Sequence, residues 1–167
     1  MELPEVERLI ERLVAQMRPA IAPDTALVGI HTGGAWLAER LHAELQIGAP
    51  LGSIDVAFYR DDLSGRGLHA KARRSDIPFE VEGRPVVIVD DVIYTGRTTR
   101  AALNELFDYG RPARVDLAVL VDRGGRELPI DARYCAHRLD QPLAADRNLR
   151  LERDADGRFS LRLIDAQ

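Results

Sequence analysis

Residues 86–98 of this 167-residue chain are Val86-Val87-Ile88-Val89-Asp90-Asp91-Val92-Ile93-Tyr94-Thr95-Gly96-Arg97-Thr98. The first four are apolar and predict a short buried strand, Val86–Val89. Apolar residues then recur at helical spacing over residues 97–109, which predicts a helix packed through Ala101, Ala102, Leu106 and Phe107, and Gly110 follows as a stop. The stretch therefore predicts a strand that passes through an acidic, hydroxyl-rich turn into a helix.

The turn between this strand and this helix combines an anion site with two carboxylates. A helix N-terminus presents free N–H groups and a partial positive charge, and Gly96 lets a ligand approach the backbone. Asp90 and Asp91 would repel a phosphate in direct contact, so we expect them to face sugar hydroxyls or a cation. Hydroxyl donors are supplied by Thr95, Thr98 and Thr99. The glycine–lysine–serine/threonine ending of a nucleotide P-loop is missing, so the turn predicts a sugar-phosphate site.

Apolar periodicity on both sides of the turn predicts alternating strands and helices. Helices are predicted over residues 4–18 and 35–45, and strands over residues 26–30, 54–58 and 115–121, with a further strand-like piece at 161–164. Such alternation implies an α/β fold with a central, mostly parallel sheet flanked by helices. Ligands of these sheets bind beyond the carboxyl ends of the strands. The apolar stripe of the first helix fits either the core or an oligomer face.

Composition narrows the class of protein. The chain is 46% hydrophobic and 30% charged with a net charge of -4, which predicts one globular domain over residues 1–167 without the overall basic signature of a nucleic-acid binder. Cys135 is the only cysteine and is expected to be a small buried residue. Acidic residues at the N-terminus do not fit a secretory leader, and no apolar run is long enough to span a bilayer. We expect a cytoplasmic protein.

The thirteen residues quoted above resemble the phosphoribosyl-pyrophosphate motif of type I phosphoribosyltransferases. Further stretches resemble one subfamily, the PyrR pyrimidine regulatory proteins and uracil phosphoribosyltransferases. They cover residues 27–34, 54–63, 110–113 and 117–130. The resemblance implies the type I phosphoribosyltransferase fold, with a small C-terminal hood and a mobile flap. Residues 61–78, which are charged and contain glycine, would form the flap, the alternative being a passive surface loop.

The resemblance also implies roles for single residues. Asp90 and Asp91 would grip the ribose, residues 95–99 would hold the 5-phosphate, and Arg60 would face the pyrophosphate as a third catalytic group. The loop Thr32-Gly33-Gly34 resembles the pyrophosphate loop, which often contains a non-proline cis peptide; many relatives carry arginine at position 33. The predicted substrate-binding residues are Thr32, Gly33, Gly34, Arg60, Asp90, Asp91, Val92, Ile93, Tyr94, Thr95, Gly96, Arg97, Thr98, Thr99, Asp122 and Arg123.

The implied reaction transfers a 5-phosphoribosyl group from phosphoribosyl pyrophosphate to uracil, giving UMP and pyrophosphate. Mg²⁺ would arrive with the substrate instead of in an all-protein cage, with Asp122 as a candidate partner of a metal-bound water. Purine relatives often carry a third acid where this chain has Tyr94, which favours uracil over a purine. A purine transferase, or a regulator with little transferase activity, is the alternative.

Partners follow from the same resemblance. A homodimer or a tetramer is implied, and regulatory members bind pyrimidine-operon leader RNA through a basic face. Candidate basic residues are Arg126, Arg133, Arg138, Arg147 and Arg150. Gly125 and Asp131, however, stand where many relatives carry basic or histidine side chains, so the sequence predicts weak or absent RNA binding.

Overall fold

Helices and strands alternate along the part of the chain that the computed structural model describes, residues 3–57 and 75–166. The helices are α1 (Val6–Met17), α2 (Gly33–Leu45) and α3 (Arg97–Phe107). The strands are β1 (Ala26–Ile30), β2 (Gly52–Ile54), β3 (Pro85–Ile93), β4 (Arg114–Asp122), β5 (Tyr134–Arg138), β6 (Arg147–Arg153) and β7 (Phe159–Asp165). The predicted α/β class is confirmed.

Strands β1 to β5 form one parallel sheet in the order β2-β1-β3-β4-β5. Every strand therefore ends at the same edge of the sheet, and the chain segments after β1, β3 and β4 meet there. The strand order reverses direction between β1 and β3, because β2 lies on one side of β1 and β3 to β5 lie on the other. Sheets of this type bind their ligands at such a reversal point. The loop after β1 and the acidic turn after β3 lie at this reversal point.

Side chains on β3 alternate between two apolar layers, as expected for a sheet covered on both faces. Val87 and Val89 pack in the layer formed with α1 and α2. Val86 and Ile88 pack in the opposite layer, which contains Ala102 of α3. The central strand is thus buried from both sides, and its carboxyl end is held in a fixed position.

The apolar stripe of α1 faces this molecule's own sheet. Its buried members are Val6, Leu9, Ile10, Leu13 and Met17. They pack in the same layer as Leu120 of β4 and Tyr134 of β5. Of the two partners that the sequence left open for this stripe, the structure therefore selects the core.

Strands β6 and β7 form a separate antiparallel hairpin, which we call the hood. Leu149 and Leu151 of β6 are buried and belong to the apolar layer below α1 and α2. Their neighbours on β6, Asn148 and Arg150, are exposed. The period of two in this strand places one row of side chains in the core and the other at the solvent edge.

Two predictions about elements are wrong. The predicted strand 54–58 ends at Ile54, because the Asp55 carboxylate accepts a hydrogen bond from the Ala57 N–H at 2.9 Å and turns the chain. Phe107, predicted to pack inward from α3, is 53% exposed.

At the other end of the long predicted loop, Ser53 and Asp76 exchange backbone hydrogen bonds of 2.8 Å. Arg60 and residues 61–74 of the predicted flap lie outside the described residues.

Within the described ranges, no helix is long and apolar enough to cross a membrane.

Removing a buried side chain from α1 tests its packing against the sheet. Leu13 is fully buried, so Leu13→Ala should lower the free energy of unfolding by about 2–5 kcal/mol. Urea denaturation measures the loss. The exposed neighbour in Arg12→Ala is the matched control and should change stability by less than about 0.5 kcal/mol. Equal, small effects of both substitutions would contradict the assignment of α1 to the core.

Candidate active site

A cavity of about 480 Å³ opens at the carboxyl end of β3. Four segments form its walls: the end of β3 with its turn, the start of α3, the segment after β4, and the hood. The lining residues are Asp90, Asp91, Val92, Ile93, Tyr94, Thr95, Gly96, Arg97, Thr98, Thr99, Arg123, Glu127, Asn148, Leu149 and Arg150. All ten residues from Asp90 to Thr99 that the sequence placed at a ligand site thus share one cavity.

Asp90 and Asp91 are the last acidic residues of β3 and are held in place by backbone groups. Asp90 is only 7% exposed, and its Oδ1 accepts a hydrogen bond from the Asp91 N–H at 3.0 Å. Asp91 Oδ2 accepts a second bond, also 3.0 Å long, from the N–H of Leu151 in the hood. The hood therefore fixes the orientation of the Asp91 carboxylate above the sheet.

Helix α2 begins directly against this acidic pair, after a cis peptide bond between His31 and Thr32. A Cβ atom at Gly34 would lie 2.5 Å from the Val89 carbonyl oxygen and 2.9 Å from the Asp90 Cα. A Cβ atom at Gly33 would lie 2.5 Å from Asp91 Oδ2. Only glycine allows the helix to start this close to β3.

Helix α3 begins at a glycine, so its N-cap residue has no side chain that could bind the backbone N–H groups of the first turn. Gly96 occupies the N-cap position of α3 with a φ of 91°, a conformation that side chains rarely adopt. The Thr95 hydroxyl oxygen accepts a hydrogen bond from the Arg97 N–H at 3.2 Å. Backbone N–H groups of the first helical turn have no intrahelical partner and carry the positive end of the helix dipole. This end of the cavity therefore suits an anion.

The segment after β4 holds the same turn from the other side. The Thr95 carbonyl accepts hydrogen bonds from the N–H groups of Glu127 at 3.0 Å and Leu128 at 3.1 Å. The guanidinium of Arg126 donates to the Tyr94 carbonyl at 2.8 Å. Arg97 and Glu127 form an ion pair of 2.8 Å at the rim. The shape of the turn therefore depends on contacts that are about 30 residues apart in sequence.

Asp122, predicted to contact substrate or a metal-bound water, has other partners in the structure. Its Oδ2 lies 2.7 Å from Arg126 Nη2 and 3.4 Å from Arg138 Nε, and its Oδ1 accepts from the Gly124 N–H. Burial alone would raise the pKa of Asp122, but these hydrogen bonds and charges bring it below its ordinary value. Asp122 is not among the residues that line the cavity, and its predicted role stays a prediction.

Arg123 is 2% exposed and forms part of the cavity wall. Its guanidinium lies 3.9 Å from the centre of the Tyr94 ring. It donates to Asn148 Oδ1 and to the Ala144 carbonyl, each at 3.2 Å. Burial lowers the pKa of Arg123, and the proximity of Tyr94 opposes that shift. Gly125 completes the arrangement, because a Cβ there would lie 2.5 Å from the edge of the Tyr94 ring.

Sequence patterns identified one wall of the cavity and missed another. Thr32, Gly33 and Gly34 lie behind the acidic pair and are not among the lining residues. Arg60 falls outside the described residues. Glu127, Asn148, Leu149 and Arg150 line the cavity and were not predicted. In the sequence, the alternation of Leu149 and Leu151 with polar residues was the signal that could have predicted strand β6.

The family model described as "Phosphoribosyl transferase domain" matches residues 2–143. The fold and the strand-turn-helix site are thus those of a phosphoribosyltransferase. A Nitrosococcus oceani protein named "Bifunctional protein PyrR" is 51% identical over 142 residues, 84% of this chain and 79% of that relative. A Ralstonia nicotianae protein of the same name is 50% identical over 157 residues, 92% and 88% of the two chains. The chain belongs to the PyrR family of phosphoribosyltransferases.

A solved structure shares the same architecture. The crystal structure of a purine phosphoribosyltransferase from Pyrococcus horikoshii superposes with a TM-score of 0.61 at 26% identity, over 83% of this chain and 85% of that chain. The predicted type I phosphoribosyltransferase fold is confirmed.

The tight contact between α2 and β3 predicts the effect of a single methyl group. Gly34→Ala should force α2 away from Val89 and Asp90, and should lower the free energy of unfolding by about 1–3 kcal/mol. Thermal and urea denaturation measure it. Gly48→Ala is the control, because nothing lies within 4 Å of a Cβ at that position. A Gly34→Ala protein as stable as the Gly48→Ala protein would show that the contact is looser than described.

Proposed function

We propose that this protein transfers a 5-phosphoribosyl group from phosphoribosyl pyrophosphate to uracil, forming UMP and pyrophosphate. One observation carries the proposal: a pair of carboxylates, Asp90 and Asp91, shares a cavity with the N-terminus of helix α3, whose N-cap residue is a glycine. A ligand that satisfies both has hydroxyl groups beside an anion, as a sugar phosphate does. Membership of the PyrR family supplies the class of reaction.

The two ends of the sugar phosphate bind different groups of this chain. The start of α3 takes the 5-phosphate, because the backbone N–H groups of its first turn and the hydroxyls of Thr95 and Thr98 are donors. Asp90 and Asp91 accept hydrogen bonds from the ribose hydroxyls. Asp91 is already oriented by the N–H of Leu151, so little ordering remains to be done when the sugar binds.

The residues present are compatible with a Mg²⁺ ion that comes with the donor. Among the described residues, no group of three or more His, Cys, Asp or Glu side chains could hold a metal ion. Asp90 and Asp91 are the carboxylates in the cavity nearest to the sugar, and substrate oxygens and waters would complete the metal shell. When bound, Mg²⁺ neutralises charge that develops on the leaving pyrophosphate.

The chain's own groups stabilise a transition state in which positive charge develops on the sugar. Cleavage of the bond to pyrophosphate at the anomeric carbon gives oxocarbenium character to the ribose, as in glycoside hydrolysis. The carboxylates of Asp90 and Asp91 lie where they favour that charge, whereas the start of α3 holds the 5-phosphate still. Arg60, which we propose as a partner of the pyrophosphate, is the remaining member of the catalytic set.

Uracil is the favoured base. Position 94, where purine relatives often have an acid, holds Tyr94, whose ring stacks on Arg123. The alternative, a purine base, has the support of the Pyrococcus horikoshii protein named a purine phosphoribosyltransferase, which is 26% identical to this chain. Relatives named "Bifunctional protein PyrR" are 50% and 51% identical. The relatives with the higher sequence identity thus favour a pyrimidine as the base.

The reaction is tested by UMP formation from uracil, phosphoribosyl pyrophosphate and Mg²⁺, with hypoxanthine and guanine as competing bases. UMP should form, and Asp91→Asn should lower kcat/KM at least about tenfold, or about 1.4 kcal/mol of transition-state stabilisation. Asp108→Asn, at the exposed far end of α3, is the matched control and should leave the rate unchanged. A folded Asp91→Asn protein with full activity would remove the basis of the proposed sugar site.

A second function, regulation through leader RNA, has less support from the surface charges. Four of the five candidate basic residues have a carboxylate within 3.5 Å. The pairs are Arg126–Asp122, Arg133–Asp116, Arg138–Asp131 and Arg147–Asp165. Only Arg150 has no ion pair in the described part of the chain. A paired arginine releases fewer counterions when it meets a phosphate, so its contribution to RNA affinity falls.

We therefore expect weak RNA binding. Filter binding with a pyrimidine-operon leader RNA, with and without UMP at two salt concentrations, measures both affinity and salt dependence. Asp131→Arg should strengthen binding, because it adds a positive charge and releases Arg138 and Arg126 from a shared carboxylate. Tight, UMP-enhanced binding of the unmodified protein at physiological salt would contradict this expectation and make regulation a primary role.

A further inference from the structure

The Asp91 carboxylate is held between two elements, helix α2 and the hood. Its Oδ2 accepts the hydrogen bond of 3.0 Å from the Leu151 N–H of β6. The same oxygen would lie 2.5 Å from a Cβ atom at Gly33, the first residue of α2. The direction of this carboxylate therefore depends on how α2 and β6 are placed relative to each other.

A second contact joins the same two elements a few residues further along each of them. Arg153, the last residue of β6, has its guanidinium 4.7 Å from the centre of the Trp36 ring in α2. Its Nη1 lies 3.5 Å from Glu39 Oε2, one turn further along the helix. We call Trp36, Glu39 and Arg153 the clasp. It lies three residues beyond the start of α2 and two residues beyond the N–H that binds Asp91.

Side-chain contacts determine where the hood sits. Strands β6 and β7 form a sheet of their own, and a two-stranded hairpin is only marginally stable by itself. Leu149 and Leu151 bury their side chains in the apolar layer below α2. Burial of apolar surface is non-directional, so it holds β6 down without fixing its tilt. The stacking of a guanidinium on an aromatic face has a preferred geometry, and the clasp supplies that geometry at the end of the strand.

The clasp adds little to the stability of the fold. The side chains of Arg153 and Glu39 are 37% and 59% exposed, and exposed ion pairs are worth little. A small displacement of β6 matters far more at Asp91, because a catalytic group must be held within about 0.5 Å of its productive position. The position of the clasp therefore suits a role in catalysis better than a role in folding.

We propose that Arg153 and Trp36 are positioning residues of the transferase. By joining the end of β6 to α2, they hold the Leu151 N–H against Asp91 and so fix the carboxylate that grips the ribose. Neither residue lines the cavity, so both act through Asp91. This inference rests on the proposed function, in which Asp91 binds the sugar.

Removing the clasp should impair the reaction without unfolding the protein. Arg153→Met should lower kcat about two- to fivefold, which is the most that an exposed contact of this kind can contribute. The KM for uracil should be unchanged, and the melting temperature should stay close to that of the unmodified protein. Trp36→Leu should have the same effect. Steady-state kinetics and thermal denaturation provide these measurements.

Conservative and control variants separate the clasp from the charge of the hood. Arg153→Lys keeps a cation over the ring and should retain most of the activity. Arg162→Met is the matched control, because Arg162 pairs with Glu152 inside the hood at 3.5 Å, and it should leave kcat unchanged. Trp36 is the only tryptophan of the chain, so quenching of its fluorescence by acrylamide shows directly whether the clasp has opened.

A double-mutant cycle with Asp91→Ala tests whether the clasp acts through Asp91. Alanine has no acceptor for the Leu151 N–H, so Arg153→Met should cause no further loss of kcat in that background. Losses that multiply would overturn the inference. An unchanged kcat in an Arg153→Met protein whose clasp has opened would overturn it as well, whether or not the melting temperature falls.

Failure of the proposed function can be distinguished from failure of this inference. An unmodified protein that forms no UMP would contradict the transferase activity alone. The same cycle, measured as affinity for ribose 5-phosphate by isothermal titration calorimetry, would then decide whether the clasp acts on Asp91. An unmodified protein that neither forms UMP nor binds ribose 5-phosphate would overturn the sugar site and the inference together.

Discussion

Helix α2 starts so close to the end of β3 that no side chain fits between them. A Cβ at Gly34 would lie 2.5 Å from the Val89 carbonyl oxygen, and one at Gly33 the same distance from Asp91 Oδ2. This contact sets the height of the acidic pair above the sheet, and the hood then reaches Asp91 through the Leu151 N–H. The two glycines therefore allow the parallel sheet, the first crossover helix and the hood to meet at one carboxylate.

The same edge of the sheet has to hold acids and an anion without repulsion between them. The two kinds of charge are kept apart because they come from different elements. Asp90 and Asp91 lie near the end of β3, and the next helix begins a few residues later with its positive end towards the cavity. Gly96 makes the turn between them tight, and the backbone of Glu127 and Leu128 fixes the Thr95 carbonyl. The separation between the acidic pair and the positive end of α3 therefore depends on Glu127 and Leu128, which follow β4.

Local patterns were enough to group residues 90–99, which line one cavity, because strand, turn and helix start are contiguous in residues 86–99. The parallel sheet followed from the alternation of elements. Asp122 could not be assigned in the same way, because Arg138 becomes its neighbour only through the pairing of β4 with β5, and the turn that brings Arg126 back to it has no clear sequence pattern. The hood residues Asn148 and Arg150 were missed for a related reason: they reach the cavity only when β6 folds back over β3.

Arg123 and Arg126 lie in one short segment, and they contact residue 94 in two different ways. Arg126 is satisfied by Asp122 and by the carbonyls of Tyr94 and Ile130, so its charge and donors are consumed in shaping the turn. Arg123 lies 3.9 Å from the centre of the Tyr94 ring and donates to the Asn148 side chain and the Ala144 carbonyl. Arg123 therefore connects the Tyr94 ring to Asn148 of the hood, whereas Arg126 connects the Tyr94 backbone to Asp122 at the end of β4.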